Sequence, residues 1–373
     1  MRILALATDA FGGHGGIAQY NRDIFSALAG CDGVHEVIIL PRIGMTSPDA
    51  LPRGVQQLCP VRGRIGYSLA ALQAARKYKP VDVVFCGHLF MAPLAAAIAR
   101  LAHARLWLQA HGIEAWHEVS WLHRRSLETA TLITSVSRHT RRHLLEWARI
   151  DPARVKVLPN TVDARYRPGP KPDRLLKRHA VGNKKVLLTV SRLSSSERYK
   201  GHDRVIRALP KLLPEHADIL YLVVGVGDDR SRLETLAAEC GVTKQVCFVG
   251  YVSPDELPDY FRLADVFVMS STGEGFGIVF LEALATGIHV IAGNQDGSRD
   301  PLCDGALGTL VDPENGDDLA LAIRAALAEA IPPDDRSARF SLDRFAGQVG
   351  ELQKLFHPRR LGQATEREGL VPL

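Results

Sequence analysis

Short apolar runs rich in β-branched residues alternate with amphipathic stretches of helical length along most of the chain. Arg2 to Ala7 reads as a strand and Ile17 to Leu28 as a helix. Further strand patterns fall at Val37 to Leu40, Val81 to Cys86, Arg105 to Gln109, Leu132 to Val136 and Val155 to Leu158. Helical patterns cover Tyr67 to Lys77, Leu89 to Leu101 and Thr140 to Trp147. Runs that are apolar at nearly every position suit strands buried on both faces, so the alternation predicts a parallel sheet covered by helices.

The texture then breaks at Arg165 to Asp173, where three prolines in a short polar stretch predict an interdomain linker over 165–180. A second series follows. Strands are predicted at Lys185 to Val190, Ile219 to Val224, Val246 to Val249, Val266 to Ser270 and His289 to Ala292. Helices are predicted at His202 to Leu213, Arg230 to Glu239, Glu256 to Leu263, Gly277 to Ala285 and Asp317 to Ala330. The expected organisation is an N-terminal Rossmann-like domain (1–164), the linker, and a C-terminal Rossmann-like domain (181–340). A helix follows within 341–358, able to pack back on the N-terminal domain, and then a frayed tail (359–373). A chain of 373 residues with 46% hydrophobic content can fill two such cores. Ligands of doubly wound sheets sit at the carboxyl ends of the strands, which directs attention to the loops there.

Composition narrows the class. Six scattered cysteines without a C-x-x-C pair read as reduced thiols rather than a disulfide frame or a zinc knuckle. The apolar run at the N-terminus is too short for a signal peptide, and no stretch reaches membrane-spanning length, so a cytoplasmic location is expected. Charge is uneven. Residues 1–180 hold 25 Lys and Arg against 13 Asp and Glu, a net of +12, while residues 181–373 hold 21 against 28, a net of −7. No nucleic-acid module accompanies the basic half. An anionic membrane surface or a phosphorylated small molecule suits it better, and the inner face of the cell membrane is where such contact is expected. Arg124, Arg125, Arg138, Arg141 and Arg142, interleaved with Trp116, Trp121 and Trp147, are the residues expected to make it. His139 and His143 have metal-ligand spacing on a helix but lack an H-E-x-x-H pattern, so a solvated face is the plainer reading.

Three loops carry candidate chemistry. Gly12-Gly13-His14-Gly15-Gly16 lies between the first strand and helix, where glycines let backbone approach a ligand and a helix start offers amides to an anion. It is neither G-x-G-x-x-G nor a P-loop, and alone it reads equally well as a tight turn. Ser191-Arg192-Leu193, with Lys200-Gly201 further along, sets two cations on one loop ahead of a helix. That suits a diphosphate, although two surface cations are the plainer reading of this loop alone. Glu274-Gly275-Phe276-Gly277 opens a helix after an apolar strand, with Glu282 near its second turn. Acidic residues at helix starts are common capping features, but the paired glycines between the carboxylates favour a binding loop.

An E-x7-E pattern preceded by the S-R-L…K-G loop and the Gly-Gly loop resembles the large family of retaining glycosyltransferases with the GT-B fold. That family includes bacterial phosphatidylinositol mannosyltransferases and exopolysaccharide and lipopolysaccharide enzymes. The resemblance runs from Gly12 to about Leu355 and is strongest from Val186 to Pro313. It implies two Rossmann-like domains facing across a cleft, the first binding acceptor and the second nucleotide sugar. Gly15 and Gly16 would meet the donor diphosphate. Arg192 and Lys200 would neutralise the leaving group. Glu274 would contact the donor sugar, with His111 near it. Phe276, Gly277, Ile278 and Val279 would give main-chain amides, Glu282 would hold the ribose, and Tyr251 and Val252 would lie at the base. The reaction implied is transfer of a mannose- or glucose-type hexose from a GDP- or UDP-linked donor to a lipid-linked or polysaccharide-precursor acceptor. No D-x-D triplet occurs, so no metal and no further cofactor are expected. The alternatives are a small soluble acceptor, a nucleotide-sugar epimerase, a Rossmann oxidoreductase and a non-catalytic sugar-nucleotide binder. The Gly293-Asn294-Gln295-Asp296-Gly297 loop receives no role.

Overall fold

Strands buried on both faces need apolar side chains at almost every position, and the chain meets that demand in two separate sheets. The computed structural model describes residues 1–44, 51–329 and 336–357. The expected tail, 359–373, lies outside them.

The first sheet comprises β1 (Arg2–Ala7), β2 (Glu36–Pro41), β3 (Val55–Gln57), β4 (Val83–Cys86), β5 (Arg105–Ala110), β6 (Leu132–Ser135) and β7 (Val155–Val157), in the order β3-β2-β1-β4-β5-β6-β7. The second comprises β8 (Val186–Val190), β9 (Leu220–Val224), β10 (Val246–Gly250), β11 (Val266–Met269), β12 (His289–Gly293) and β13 (Thr309–Val311), in the order β10-β9-β8-β11-β12-β13. All pairings are parallel. Strand order reverses beside β1 in one sheet and beside β8 in the other, so β1/β4 and β8/β11 flank the switch points where ligand crevices form. All three candidate loops leave those strands.

Four elements depart from the expected pattern. β3 and β13 are three-residue edge strands, too short to show as apolar runs. The helix Trp121–Thr129 is mostly polar and buries only Ser126 and Leu127. Within the proline-rich stretch, Asp173–Arg178 forms a short helix. It docks on the second domain, where Arg174 pairs with Glu256 (2.7 Å) and Asp259 (2.5 Å), and Lys171 pairs with Asp265 (2.8 Å).

The chain finally returns to the first domain. The helix Leu342–Gln353 lies against the helix Gly16–Ala29, with Phe345 edge-on to Tyr20 at 5.7 Å. Phe356 stacks on the buried Trp107 at 5.3 Å. Across the cleft, Arg138 reaches Asp300 (2.9 Å) and Asp304 (2.8 Å). Gly112 and Gly275 meet backbone to backbone: a Cβ on Gly112 would sit 2.9 Å from the Gly275 Cα, and one on Gly275 only 2.0 Å from the His111 carbonyl oxygen.

Candidate active site

The loop after β8 is held by bare backbone. Ser191 N–H donates to the Val224 carbonyl and Leu193 N–H to that of Val226 (both 3.0 Å). A Cβ on Gly225 would lie 1.8 Å from the Ser191 carbonyl oxygen, so glycine is what lets these loops touch. His202, buried at the start of the next helix, donates through Nε2 to Ser191 Oγ (2.8 Å). Burial pushes its pKa down to about 4, which keeps the ring neutral. Gly201, in the left-handed region at φ 79°, lets the chain turn so that Lys200 points inward.

Lys200 meets Glu274 in an ion pair whose side chains are only 12% and 13% exposed. Burial alone would lower the Lys200 pKa, but the carboxylate against it wins and raises it above the usual lysine value. Arg192 does not join them. It is 76% exposed and pairs with Glu197 on its own loop.

Glu274 is fixed from beneath by Asp296, the residue to which sequence reasoning gave no role. The fully buried Asp296 carboxylate accepts from Ser271 Oγ (2.6 Å), Glu274 N–H (2.7 Å) and Ser298 N–H (2.9 Å). Desolvation raises its pKa although all three donors oppose that shift. Gly297 N–H donates back to the Glu274 carbonyl (2.9 Å). The loop after β12 thus cradles the loop after β11. The pattern Asp-x-Ser, which caps a short turn with its own side chain, is the one sequence signal that could have found it.

Gly277, at φ 84°, caps the helix Ile278–Ala285 and supplies no side-chain acceptor for the amides at the helix start. A Cβ there would meet the Phe280 ring at 2.6 Å. Phe276 is buried against Phe340 (ring centroids 5.9 Å), so only its main chain is on offer. Ile278 reaches the other domain: a Cβ on Gly16 would lie 3.3 Å from its Cδ1. Val279 packs partly buried against the core. Glu282 is buried, and its Oε2 has no partner among the described residues. Burial pushes its pKa up to about 7, with the Tyr166 hydroxyl pulling the other way. Tyr251 is exposed after β10, and Val252 packs partly buried beside it.

On the facing domain, two residues of the helix Gly16–Ala29 reach back to stitch the glycine loop. Asn21 Nδ2 donates to the Asp9 carbonyl (2.7 Å), and the Arg22 guanidinium donates to the carbonyls of Ala10 (3.2 Å) and Gly13 (2.9 Å). Gly15, at φ 89°, faces open space. His111 donates through Nε2 to the Gly87 carbonyl (2.9 Å), and burial pushes its pKa down to about 4. It stands directly before the Gly112–Gly275 contact.

The residues expected at a membrane are mostly occupied. Besides Arg138, Arg141 donates to the carbonyls of Val155 and Pro152, Arg124 pairs with Glu118 (3.0 Å) and Arg125 with Glu128 (3.0 Å). Trp116 and Trp147 donate to Thr140 and to the Ala115 carbonyl, while Trp121 remains exposed. His139 and His143 pack on each other and on Trp116. No cluster of three or more metal-ligating side chains occurs among the described residues.

Known proteins share this arrangement. Residues 14–166 match Glycosyltransferase Family 4 and residues 173–341 match Glycosyl transferases group 1. A GDP-mannose-dependent alpha-(1-6)-phosphatidylinositol monomannoside mannosyltransferase of Mycolicibacterium smegmatis is 34% identical over 267 residues, spanning 67% of this chain and 68% of that protein. A D-inositol 3-phosphate glycosyltransferase of Geodermatophilus obscurus is 36% identical over 200 residues, 50% of this chain and 43% of its own. In fold, Anabaena HepE crystallised with UDP superposes at TM-score 0.75 and 21% identity, covering 95% of this chain and all of that one. Sucrose-phosphate synthase of Thermosynechococcus elongatus superposes at 0.73 and 21% identity, over 95% and 98% of the two chains. Two doubly wound domains, a cleft lined from both sheets' switch points, and these relatives together place the chain in the GT-B glycosyltransferases of the family 4, group 1 type.

Proposed function

We propose that the chain is a metal-independent retaining hexosyltransferase that uses a nucleotide diphosphate sugar, with GDP-mannose the first donor to test. The buried Lys200–Glu274 pair, set at the switch point of the second sheet beside an uncapped helix start, carries this reading. Lys200 and the amides at Gly277, Ile278 and Val279 supply fixed positive charge where a diphosphate would leave, and such preorganised charge stabilises a departing anion. Arg192, exposed and on a loop, turns from Glu197 to the diphosphate when donor binds. Glu274 accepts hydrogen bonds from the sugar, and the unpartnered Oε2 of Glu282 accepts from the ribose diol. Gly15 and Gly16 meet the diphosphate from the other domain, Tyr251 and Val252 lie at the base, and the neutral His111 hydrogen-bonds the transferred sugar.

In the proposed reaction the bond from C1 to the diphosphate oxygen breaks as the bond from C1 to the acceptor oxygen forms on the same face. The acceptor proton passes to the departing phosphate oxygen. The GDP-mannose dependence in the name of the mycolicibacterial relative favours that donor. The same name favours an acceptor carried on lipid. A screen of GDP-, UDP- and ADP-sugars with NMR of the product anomer tests the proposal. An inverted product sinks the retaining mechanism, and activity lost to EDTA but restored by Mg²⁺ or Mn²⁺ sinks metal independence. An epimerised sugar nucleotide formed without acceptor would instead favour the epimerase.

Peripheral contact with anionic membrane belongs to the same proposal, on a different face from the one the tryptophans suggested. The helix Arg64–Lys77 leaves Ile65 (80%) and Leu69 (56%) exposed, with Arg62, Arg64, Arg76 and Lys77 exposed around them. Vesicle co-sedimentation that ignores anionic lipid at low salt removes this part and leaves sugar transfer standing.

A further inference from the structure

The donor side of the cleft takes one anion, the diphosphate. The facing domain holds a second cation, Arg42, that forms no hydrogen bond or ion pair through its side chain among the described residues. Arg42 directly follows β2, and its N–H donates to the carbonyls of Ala7 (3.0 Å) and Thr8 (3.2 Å), pinning it to the end of β1. Its guanidinium carbon lies 4.8 Å from the centre of the Phe90 ring and 5.9 Å from that of Tyr67. Tyr67 is locked in place by its hydroxyl, which donates to the Leu40 carbonyl (2.7 Å). The guanidinium has no hydrogen bond and no carboxylate partner among the described residues. Other part-buried arginines of this domain are satisfied: Arg2 by Glu36, Arg22 by the Gly13 loop, and Arg154 by the carbonyls of Glu128 and Ala130.

A neighbour adds a donor. The His88 ring lies 4.7 Å from that of Phe90. Its Nδ1 accepts from Phe90 N–H (3.4 Å), which leaves the proton on Nε2, and Nε2 has no partner among the described residues. The His88 and His111 ring centres are 6.0 Å apart, and His111 borders the Gly112–Gly275 contact, so the cluster lies along the cleft rather than on an outer face.

A guanidinium oriented by two rings, with its five N–H donors unfilled and no carboxylate to neutralise it among the described residues, is built for an anion arriving from outside. Because the donor's diphosphate already has Lys200 and the helix-start amides of the second domain and the glycine loop of the first, a further anion at Arg42 belongs to the acceptor. Taking the cleft as a sugar-transfer site, we propose that Arg42 and the Nε2–H of His88 bind a phosphate ester carried by the acceptor. A phosphate presents enough terminal oxygens for the guanidinium fork and the imidazole together. Phe90, half-exposed, would offer its open ring to the attached polyol.

Calorimetric titration of the full chain, saturated with GDP, tests this with D-inositol 3-phosphate, inositol and short-chain phosphatidylinositol. The phosphate ester should bind at least about tenfold tighter than inositol, the order expected of a charge-assisted contact. R42Q should close that gap, R42K should keep part of it, and H88A should narrow it. Preference for the lipid over the soluble ester identifies a headgroup as the source, and the reverse identifies a soluble acceptor. Melting curves and GDP titration of each variant show whether fold and donor side are intact. If GDP binds but the ester binds no better than inositol, or R42Q binds it as well as the wild type, the Arg42 proposal is overturned and the donor reading stands. If GDP fails to bind but UDP or ADP binds, the same titrations saturated with that nucleotide decide the Arg42 proposal; if none of the three binds, the sugar-transfer reading falls and the proposal with it.

Discussion

The two faces of the cleft are built on opposite plans. On the second domain the groups around the proposed leaving-group site are already answered: Lys200 by Glu274, the Glu274 backbone by Asp296, and Ser191 by His202, while Glu282 keeps an open oxygen among the described residues. On the first domain the glycine loop is stitched by Asn21 and Arg22, but Arg42 and His88 hold side-chain donors unfilled among the described residues. A face that is prewired loses little order when its ligand binds, which suits the step where charge must be met without delay. A face with open donors selects its ligand by what that ligand brings.

The sharpest way to break the comparison is at Lys200. Lys200→Ala removes the fixed cation and leaves Glu274 buried without a counter-charge. Turnover should fall by about 10²–10³-fold, the range for losing one preorganised charge-stabilising donor. Steady-state kinetics with saturating donor measures it, and near-wild-type turnover would break the prewired description.

Asp296→Ala comes next. It strands Ser271 Oγ and the amides of Glu274 and Ser298, each at about 1–3 kcal/mol when buried. Denaturant titration should show the loss, with donor KM rising as the Glu274 loop loosens. Asp296→Asn, which keeps an acceptor but loses the charge, should fall between Ala and wild type. Equal stability in all three would remove Asp296 from the wiring.

Glu282 predicts a pH effect. Its pKa of about 7 lies above the usual 4.5 because burial penalises the carboxylate. The sign follows from which form accepts the ribose diol. The ionised form is needed, so nucleotide affinity should weaken as pH falls through about 7, by at most about tenfold per unit. Binding at pH 7 should release a proton, measurable by calorimetry in buffers of different ionisation enthalpy. Glu282→Gln should abolish the release. In the free protein the neutral form is the favoured one, so the contribution of this group to stability is present below pH 4.5 and is lost as pH rises through about 7.

Arg22→Ala should have the smallest effect. Losing the Gly13 and Ala10 contacts slackens the loop without touching the reacting atoms. We expect donor KM to rise about tenfold, one charged hydrogen bond's worth, with kcat nearly constant. A collapse of kcat instead would show that the first domain is wired as tightly as the second.

The sheets were legible because parallel strands buried on both sides leave an unbroken apolar imprint, as Val186–Val190 does. β3 left none, because Val-Gln-Gln at an edge buries little, and the helix Trp121–Thr129 hides its stripe among charges. The helix Asp173–Arg178 sits behind prolines and gains its hold from Glu256 and Asp259, far along the chain. The same division runs through the site. Lys200 and Glu274 stand out through motif, and the structure brings them together. Arg192 stands out as well and is turned aside to Glu197. Asp296 reads as one acid in a polar loop until β12 carries that loop beneath Glu274. Arg42 is one arginine among many until its want of a partner can be seen.

The Gly112–Gly275 contact reaches beyond chemistry into heredity. A single methyl group on either residue would drive a wedge between the domains. In each case the collision is with the backbone of the opposite partner, so no change in a neighbouring side chain can relieve it. Each codon is therefore held at glycine on its own account, whatever the loops around it become. For a protein engineer the same fact is a switch: Gly275→Ala is a one-carbon means of holding the halves apart.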